Sequence, residues 1–528
     1  MSVVYKYDFE PETLTKLKDK PFGQDWPVVY ILKNSTEAYI GETVDAKKRF
    51  KQHLENPDRQ LLNKAYIISD TEYNKSAALD IESRLIEYIA ADGKYKLQNG
   101  NKGLSNHNYY NRELYKSKFE NIIWRELQEL EIAKNDLIQL QNSDLFKYSP
   151  YKALTIEQLD IVRAIYGSLI SGEHTTHIVN GEPGTGKSVL AVYLAKYILQ
   201  DEKTKNYKIA LVIPMTSLRK TLKKVFSKVK GLSSSMVIGP SEVVGKEFDL
   251  LIVDEAHRLR RRINLSSYEP YDKANKYYGL GNEGTQLDWI MQASKSQVLL
   301  YDQKQSVVPG DIRTDQIKAL DSKHYHLSNQ LRVKGGEEYI AFISSLLSNS
   351  ETKTIKLKDY DLRYFTDIKE MQNEIISLDK QYGLARMVAG YAWKWSTKNS
   401  KDKTDYDIDL DGLKLRWNST NIDWVNSKDA INEVGCIHTV QGYDLNYVGV
   451  IIGPELKYNK KSGKLVVDKK QYMDFNGRRS ITDEGELEGY ILNIYKTLLT
   501  RGILGTFIHC VDKDLQEHIL ESLPKSTI

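Results

Sequence analysis

Cysteine is almost absent from this sequence. The 528 residues include only Cys436 and Cys510, which excludes a disulfide framework and a cysteine-rich zinc site. No apolar run approaches the roughly 18 residues that a membrane span needs. The N-terminus also lacks the basic and then apolar layout of a secretory signal. These absences predict a soluble cytoplasmic protein.

An excess of charge of one sign is also missing. The net charge is only +4, and residues 1–110 balance 16 Lys and Arg against 16 Asp and Glu. Bulk charge therefore does not indicate nucleic-acid binding, and any phosphate-binding surface must be local. What the chain has is length, because 528 residues exceed a single hydrophobic core and predict about two to four domains.

Continuous apolar runs alternate with helical patterns after the segment KYSPY at 147–151. These runs are THIVNG, KIALVIP, DLLIV, QVLLYD and YVGVIIG. Such runs are typical of strands buried on both faces, as in a mainly parallel sheet covered by helices. The sequence therefore predicts an α/β fold, with two polar stretches near 398–430 and 456–488 as insertions or surface hairpins.

The first 150 residues show shorter elements. Strands are predicted at 28–32 and 65–68, and helices at 44–55 and 76–91. Leu, Ile and Phe recur at helical spacing from 113 to 142, which predicts one connecting helix. We therefore expect a small α/β domain at 1–110 and a helical linker at 111–150.

The segment GEPGTGKS matches the phosphate-loop pattern between a predicted strand and a predicted helix. Gly181, Gly184 and Gly186 let backbone N–H groups close around phosphate oxygens, and the helix N-terminus adds partial positive charge. Lys187 is expected to reach the β- and γ-phosphates, and Ser188 to ligate Mg²⁺. The segment predicts binding of ATP with Mg²⁺.

Two carboxylates end the apolar run of FDLLIVDEAH. The carboxyl edge of such a strand is where ligands bind in open α/β sheets. We expect Asp254 to hold Mg²⁺ and Glu255 to polarise the attacking water. A solvated strand end is the alternative.

These motifs and six weaker ones, in the same order, resemble the core of superfamily 1 helicases, nearest to the Schlafen-group helicase-like family. The resemblance covers residues 154–528 and implies two RecA-like lobes, at 151–320 and 321–528. The weaker motifs are LTIEQ, LVIPMTSLRKTL, YDQKQ, LSNQLR, IHTVQGYDLNYVGVII and YKTLLTRG.

The resemblance also implies roles for single residues. Gln158 would read adenine, while Asp302 and Gln305 would link the phosphates to a bound strand. Arg332 and Arg501 would be arginine fingers that touch the γ-phosphate only when the lobes close. The motif that resembles motif V contributes Thr439, Gln441 and Gly442.

Two basic clusters are candidates to bind the phosphates of that strand, and a solvated charged face is the alternative for both. The first cluster contains Arg219, Lys220, Lys223, Lys224 and Lys228. The second contains Arg258, Arg260, Arg261 and Arg262, directly after the acidic strand end.

The segment VVYILKNSTEAYIGETVDAKKRFKQH raises a separate question. Arg49 and His53 are four residues apart and share one helix face, while Gly41 stands where backbone can approach a ligand. In the second helix, Glu82 falls inside an apolar stripe. A buried carboxylate needs a cation partner, so we expect either a metal ion or Arg49 beside it. A surface glutamate is the alternative.

This constellation resembles the GIY-YIG nucleases over roughly residues 28–103. The resemblance implies that Tyr30 and Tyr39 line an active site and that Tyr30 helps to deprotonate the attacking water. Arg49 would stabilise the phosphate, His53 would position or relay a proton, and Glu82 would hold Mg²⁺ or Mn²⁺.

The sequence departs from the pattern of that family in two places. The first triplet is Val28-Val29-Tyr30 rather than Gly-Ile-Tyr, a mild change because a strand interior tolerates valine. Lys96 stands where the family usually has asparagine, with Asn99 and Asn101 nearby. Either one of these asparagines substitutes for the missing one, or the nuclease is weakened. A small domain that binds nucleic acid without cutting it is the alternative for the whole segment.

The sequence as a whole predicts an endonuclease fused to an ATP-driven nucleic-acid motor, with DNA favoured over RNA as the partner and no membrane. Such fusions suit defence against phage or plasmid DNA. An ATP-gated sensor with an idle front domain and an RNA-directed nuclease and motor are the alternatives.

Overall fold

The computed structural model describes residues 3–100, 109–305, 309–348, 355, 357–399, 405–420, 423–440, 442–474 and 484–523. Their packing divides the chain into two compact units. The first unit comprises Met1–Ser171, Ser188–Tyr207 and Thr221–Val237. The second unit comprises Gly172–Lys187, Lys208–Lys220 and Ile238–Ile528.

A five-stranded sheet occupies the N-terminal region, in the order β1-β4-β2-β3-β5. Its strands are β1 (Val4–Asp8), β2 (Val28–Lys33), β3 (Glu37–Thr43), β4 (Lys64–Ile68) and β5 (Lys96–Leu97). Helices α1 (Thr13–Lys18), α2 (Ala46–Leu54) and α3 (Lys75–Asp92) accompany it. The strands and helices predicted at 28–32, 65–68, 44–55 and 76–91 are therefore confirmed within two residues.

Pairing within this sheet aligns the two tyrosine strands. Strands β2 and β3 are antiparallel, so that Tyr30 lies opposite Gly41. Every β2 residue from Val28 to Leu32 is buried, as the apolar run predicts. Helix α2 begins at a side-chain cap, in which Asp45 accepts from the backbone N–H of Lys48.

The single helix predicted over 113–142 is wrong. Helix α4 (Arg112–Lys118) continues through a π-turn into α5 (Trp124–Glu129), and the chain then leaves the helix. Glu131 has a φ of 53°, in the left-handed region, and Asp92 accepts from the backbone N–H of Asn135. Local turn chemistry thus overrides the apolar period before α6 (Leu137–Asn142) and α7 (Asp144–Lys147).

A second sheet contains six strands in the order β11-β6-β10-β9-β7-β8. They are β6 (Thr176–Gly181), β7 (Ile209–Val212), β8 (Val237–Ile238), β9 (Phe248–Val253), β10 (Ser294–Tyr301) and β11 (Ser322–Leu327). The pairs β11-β6, β6-β10, β10-β9 and β9-β7 are parallel. Helices in this stretch are α8 (Ile156–Ile170), α9 (Lys187–Gln200), α10 (Thr216–Lys228), α11 (Glu269–Tyr277), α12 (Gln286–Ala293) and α13 (Thr314–Lys318).

The third sheet has seven strands in the order β12-β20-β17-β13-β16-β15-β14. Its strands are β12 (Asp361–Tyr364), β13 (Ala385–Ala389), β14 (Ile408–Leu410), β15 (Leu413–Trp417), β16 (Glu433–Gly435), β17 (Leu445–Ile452) and β20 (Gly502–Cys510). All its pairs are parallel except β14-β15. The helices are α14 (Gly336–Leu347), α15 (Ile368–Tyr382), α16 (Ile437–Val440), α17 (Glu484–Leu499) and α18 (Lys513–Ser522).

The two polar stretches in the last third contain hairpins. Strands β14 and β15 form an antiparallel pair at the edge of the third sheet, and β18 (Leu456–Asn459) pairs with β19 (Lys464–Val467). The predicted α/β fold with mainly parallel sheets is confirmed. Within the described residues, no helix is both long and apolar enough to cross a membrane.

Candidate functional site

The phosphate-loop pattern forms a tight turn between β6 and α9. Gly184 and Gly186 have φ angles of 89° and 83°, a conformation that glycine adopts without strain. Lys187 is 7% exposed, and its Nζ donates to the backbone oxygens of Gly181 at 2.6 Å and Glu182 at 3.1 Å. The loop therefore holds one buried cation at the N-terminus of a helix. Ser188 follows in the first turn of the same helix.

The predicted acidic pair lies at the carboxyl end of β9. Asp254 is fully buried, and its Oδ1 accepts from the backbone N–H of Glu255 at 3.0 Å. Glu255 has a φ of 54°, a strained backbone for a residue with a side chain and one that is common at functional sites. The strand end thus fixes two carboxylates side by side.

Basic side chains surround Glu255. Its Oε2 lies 3.0 Å from Nε2 of His257. Burial by itself would raise the pKa of Glu255, but His257, Lys187 and Arg501 hold that pKa below its usual value. Glu255 is therefore an anion at neutral pH, as a group that orients water needs to be.

The motif YDQKQ brings a third carboxylate to the loop. Oδ2 of Asp302 lies 3.9 Å from Nζ of Lys187 and accepts from Nε2 of Gln305 at 2.8 Å. Both Asp302 and Gln305 are buried. Tyr301, which precedes them, is buried too, and its hydroxyl is 2.9 Å from Oγ1 of Thr314.

The segment LSNQLR packs directly on the phosphate loop. The backbone N–H of Leu331 donates to the oxygen of Gly184 at 2.9 Å, and Nε2 of Gln330 donates to the oxygen of Pro183 at 2.8 Å. A Cβ on Gly184 would lie only 2.0 Å from Oε1 of Gln330, so glycine is required for this contact. Arg332 therefore lies next to the phosphate loop, as expected for a residue that is predicted to contact the γ-phosphate.

Both predicted arginine fingers are anchored on one short segment. Nε of Arg332 lies 2.5 Å from Oδ1 of Asp444, and Nη1 of Arg501 donates to the backbone oxygen of Tyr443 at 3.1 Å. Arg501 is 2% exposed, and its charge reaches Glu255.

The segment just before these anchors meets the LVIPMTSLRKTL region. Gly442 has a φ of 90°, and a Cβ there would lie 3.0 Å from Cε of Met215. Thr439 is buried, and its hydroxyl donates to the backbone oxygen of Cys436 at 2.8 Å, which is a structural contact. Gln441 lies outside the described residues.

A polar cavity of about 520 Å³ opens beside this contact. Its walls come from the start of α10, the 239–242 turn, the segment after β9, the start of α12 and α16. Sequence reasoning missed His438, Gln286 and Glu242, since nothing in their local patterns marks a site. The lining residues are Pro214, Met215, Thr216, Ser217, Arg219, Gly239, Pro240, Ser241, Glu242, Arg258, Arg260, Gln286 and His438.

The second basic cluster is largely engaged within the protein, and its binding of phosphates stays a prediction. Arg258 and Arg260 pair with Asp311 at 2.9 and 3.4 Å. Arg261 donates to backbone oxygens, and Arg262 holds Asp272 with two nitrogens. Arg258 and Arg260 nevertheless reach the cavity wall, whereas the other two arginines do not.

Gln158 is part of a helix cap. Its Oε1 accepts from the backbone N–H of Thr155 at 3.0 Å, and its own N–H donates to Oγ1 of Thr155 at 3.2 Å. This reciprocal pair is the capping box of α8. The role of Gln158 as an adenine reader stays a prediction.

In the N-terminal region, Arg49 and His53 both contact the hydroxyl group of Tyr30. The hydroxyl of Tyr30 lies 2.7 Å from Nε2 of His53 and accepts from Nε of Arg49 at 3.2 Å. The ring of Tyr39 lies 5.0 Å from that of His53 and 6.2 Å from that of Tyr30. Four residues that are spread over 24 positions of sequence thus form one cluster.

Burial sets the protonation states in this cluster. Burial raises the pKa of Tyr30, so its hydroxyl keeps its proton at neutral pH. Burial, together with the charges of Arg49 and Arg59, lowers the pKa of His53 to about 4. The imidazole is therefore neutral at pH 7, so that one of its nitrogens can accept a hydrogen bond from the Tyr30 hydroxyl.

Gly41 and Asn99 hold the second tyrosine strand in place. A Cβ on Gly41 would lie 2.4 Å from the hydroxyl oxygen of Tyr30, which explains the glycine. Asn99 accepts from the N–H of Ile40 at 3.1 Å and donates to the oxygen of Ile40 at 2.7 Å. Its amide is therefore engaged with backbone, while Lys96 is exposed on β5. Asn101 lies outside the described residues.

A metal ion or Arg49 was the predicted partner of Glu82. The guanidinium of Arg49 donates to Tyr30 and Gln52, and its charge, like that of Lys75, acts to lower the pKa of Glu82. Burial first, and then the like charge of Glu42, raise the pKa of Glu82 to about 7. Among the described residues, no cluster of three or more His, Cys, Asp or Glu could hold a metal ion. The carboxylate of Glu42 itself pairs with Lys75.

Arg59 is a further cation in the N-terminal cluster that sequence reasoning missed. Its guanidinium lies 4.0 Å from the centre of the Tyr39 ring and donates to Oε1 of Gln98. The turn that follows α2 carries it there, and no motif marks this position.

Comparison with known proteins bears on the helicase-like part. The family described as Schlafen group 3, DNA/RNA helicase domain, matches residues 174–512. Uncharacterized protein YPL245W of Saccharomyces cerevisiae is 26% identical over 401 residues, which cover 66% of this chain and 84% of that protein.

Two solved structures are similar to this chain at low identity and low TM-score. Pif1 helicase from Bacteroides, in complex with ADP-AlF3 and ssDNA, is 13% identical with a TM-score of 0.29, covering 68% of this chain and 92% of its own. Pif1 helicase from Candida albicans is 10% identical with a TM-score of 0.28, covering 70% and 99%.

The family match spans more than half of the chain, and it includes the phosphate loop, the acidic strand end and both predicted arginine fingers. The P-loop domain is accordingly that of a helicase-like ATPase and nucleic-acid motor. The chain belongs to the Schlafen group 3 DNA/RNA helicase domain family.

Proposed function

We propose that this chain is an ATP-dependent nucleic-acid motor fused to a metal-dependent endonuclease at residues 1–110, joined by a helical linker at 111–150. The nuclease part rests on one observation above all. The Tyr30 hydroxyl lies between a neutral imidazole and a guanidinium, at 2.7 and 3.2 Å. A buried structural tyrosine needs only one hydrogen-bond partner, whereas phosphodiester cleavage needs a proton acceptor and a cation together.

In this proposal, two RecA-like lobes at 151–320 and 321–528 form the motor and its ATP site. Lys187 and the backbone N–H groups of its loop bind the β- and γ-phosphates, and the residues fit Mg²⁺ through Ser188 and Asp254. Bound Mg²⁺ would neutralise charge on the phosphates. Glu255, held as an anion, orients the attacking water, and Arg332 and Arg501 stabilise the charge that develops on the γ-phosphate.

The polar cavity is the proposed path of the nucleic-acid strand. Thr216 and Ser217 present hydroxyls at the N-terminus of α10, where partial positive charge favours phosphate. Arg219 and Arg260 supply charge, while His438 offers a ring on which a base can stack. Gly442 packs on Met215, which lines the same cavity. A movement of the segment that resembles motif V would therefore shift the wall that contacts the nucleic-acid strand.

The nuclease chemistry begins at the Tyr30 hydroxyl. As Tyr30 passes its proton to Nε2 of His53, its oxygen takes a proton from the attacking water. The water oxygen bonds to phosphorus, and the bond from phosphorus to the leaving sugar oxygen breaks. That oxygen takes a proton from solvent, and His53 releases its proton to solvent. Arg49 stabilises the charge on the phosphate oxygens. The residues fit Mg²⁺ or Mn²⁺ at Glu82, and that ion would act as a Lewis acid.

Cleavage of a plasmid in Mg²⁺, with and without ATP, tests the proposal on wild type, Glu82→Ala and Lys187→Ala. If wild type cuts only with ATP and both variants fail, the motor licenses the nuclease. If cutting ignores both ATP and Lys187, the two activities are independent. Repeating the assay with RNA of the same sequence decides between DNA, which we favour, and RNA. Restriction of phage or plasmid growth by cells that carry the gene tests the defensive role.

A second function is favoured by the position of Lys96 and Asn99. Lys96 is exposed, and both polar atoms of the Asn99 amide are bonded to Ile40, so neither supplies the free amide that is usual in GIY-YIG nucleases. An ATP-gated sensor that binds nucleic acid with little or no cutting fits this arrangement. ATP consumption without any cleavage in the plasmid assay would support it.

A further inference from the structure

Helix α9 carries a buried lysine that no step of ATP hydrolysis uses. Lys196 is 1% exposed, and its ammonium lies 3.6 Å from the centre of the Tyr151 ring. Burial lowers the pKa of Lys196 to about 7. Because burying an ammonium group is costly, its retention within an apolar helix indicates a specific partner.

That partner is the loop that holds the tyrosine strand. Nζ of Lys196 donates to the backbone oxygen of Asn99 at 3.2 Å. The Asn99 amide in turn binds both the N–H and the oxygen of Ile40, next to Gly41, on which the Tyr30 hydroxyl packs. A continuous set of contacts therefore runs from α9 to the candidate catalytic hydroxyl.

A second lysine, Lys230, reaches the other tyrosine by an independent route. Its Nζ lies 2.9 Å from Oε1 of Glu37, and Nε2 of Gln98 donates to the other carboxylate oxygen at 2.5 Å. Arg59 donates to Oε1 of Gln98 and stacks on Tyr39. Although burial acts the other way, the hydrogen bonds from Gln98 and Lys230 hold the pKa of Glu37 below its usual value.

Both lysines belong in sequence to the helicase domain. Lys196 lies in the helix that begins at the phosphate-loop lysine, about 13 Å along its axis. Lys230 follows α10, whose first turn lines the polar cavity. Their contacts with residues 37, 98 and 99 connect α9 and the segment after α10 to the N-terminal sheet.

We infer that Lys196 and Lys230 are positioning residues for the nuclease, which is completed by side chains from the helicase domain. This inference rests on the proposed nuclease function. Lys196 fixes β3 through Asn99, and Lys230 fixes Arg59 over Tyr39 through Glu37 and Gln98. Neither lysine touches the substrate.

The test compares variants of the full chain in plasmid cleavage. Lys196→Met and Lys230→Met remove the charge and keep the bulk, while Lys196→Gln and Lys230→Arg restore a donor. Lys203→Met, at an exposed lysine in the same region of sequence, is the matched control. The Met variants should lower kcat of cleavage about tenfold, with KM and ATP hydrolysis unchanged, because a small misplacement of catalytic groups is costly. The donor variants should recover at least half of the rate.

Amide hydrogen exchange of residues 37–43 gives a second readout that needs no cleavage. Lys196→Met should speed exchange at Ile40 about tenfold, whereas Lys203→Met should not. If wild type cuts and neither Met variant at 196 or 230 changes kcat or exchange, the inference is overturned while the nuclease stands. If wild type does not cut but exchange responds, the nuclease function falls and the structural link remains. Because Lys230 is exposed, its variant tests the inference even if Lys196→Met fails to fold.

Discussion

The two candidate sites hold their key carboxylates in opposite ways. Glu255 lies among His257, Lys187 and Arg501, which hold its pKa low despite complete burial. Glu82 lies beside Glu42, and its pKa is raised to about 7. Basic side chains therefore dominate around Glu255, whereas burial and a second carboxylate outweigh the charges of Lys75 and Arg49 at Glu82. Under the proposed nuclease function, Glu82 would take its cation from solution, and the experiments below test this difference between the two sites.

The largest effect is expected at Lys187. Lys187→Ala removes the buried cation of the phosphate loop, so ATP hydrolysis should fall by at least about 10³-fold, because preorganised charge is the main catalytic term at such sites. Steady-state phosphate release measures the loss, and far-UV circular dichroism checks the fold. Lys203→Ala is the control, and normal turnover in Lys187→Ala would refute the phosphate-loop assignment.

Replacing Arg332 and Arg501 tests whether their guanidinium groups take part in ATP hydrolysis. Each change to alanine should slow hydrolysis by about 10²–10³-fold while ATP still binds, since both guanidinium groups are expected to act on charge that appears only in the transition state. Single-turnover hydrolysis and fluorescent-nucleotide titration separate the two steps. Arg313→Ala, at an exposed arginine, should have no effect. If both finger variants turn over ATP at the wild-type rate, the two-lobe model fails.

Glu82→Ala tests whether Glu82 binds a metal ion that cleavage requires. Loss of a metal ligand should reduce Mg²⁺-dependent cleavage by about 10²-fold, which corresponds to about 3 kcal/mol of transition-state stabilisation. Plasmid nicking over a range of Mg²⁺ concentrations measures it. Glu113→Ala, at a glutamate with an 85% exposed side chain, is the matched control, and unchanged cleavage would remove Glu82 from the site.

The smallest expected effect is on the free energy of unfolding, whose pH dependence should have opposite signs for the two glutamates. Because the folded-state pKa of Glu82 is raised, the folded state binds more protons between about pH 4.5 and 7, and the free energy of unfolding falls as pH rises through that window. Glu82→Gln should therefore be about 1–3 kcal/mol more stable than wild type at pH 8. Glu255→Gln should be less stable at pH 8, because a lowered pKa contributes stability that is lost only in acid.

Urea unfolding at pH 5 and pH 8 measures both variants. Glu455→Gln is a useful control, because burial also raises the pKa of Glu455 to about 7 in a place with no proposed catalytic role. It should share the pH response of Glu82→Gln and leave both activities intact. If Glu82→Gln and Glu255→Gln respond to pH with the same sign, the contrast between the two sites is wrong.

The parts of the fold that were predictable are those that local sequence determines. Apolar runs identified the buried strands, and GEPGTGKS identified the phosphate loop, because both depend on adjacent residues. The interrupted helix after Glu129 was not predictable, since a turn stabilised by Asp92 breaks it from a distance.

The candidate sites divide in the same way. Arg49 and His53 could be paired from helical spacing, but the meeting of His53 with Tyr30 depends on the packing of α2 against the sheet. Arg59, Asn99, Gln286 and His438 reach their sites through tertiary contacts that leave no pattern in sequence. Arg49 was one of two predicted partners of Glu82, but its hydrogen bonds go to Tyr30 and Gln52.

The contact between Lys196 and Asn99 has a consequence for the order of events during synthesis. The ribosome adds residues from the N-terminus, so Asn99 emerges about 100 residues before Lys196 and about 130 before Lys230. At 5–20 residues per second, that interval is about 5–25 s. If the two lysines complete the nuclease, the newly made N-terminal domain cannot cut efficiently until the ATP-binding lobe has emerged and folded. The cell would then be protected from its own nuclease while the chain is being made.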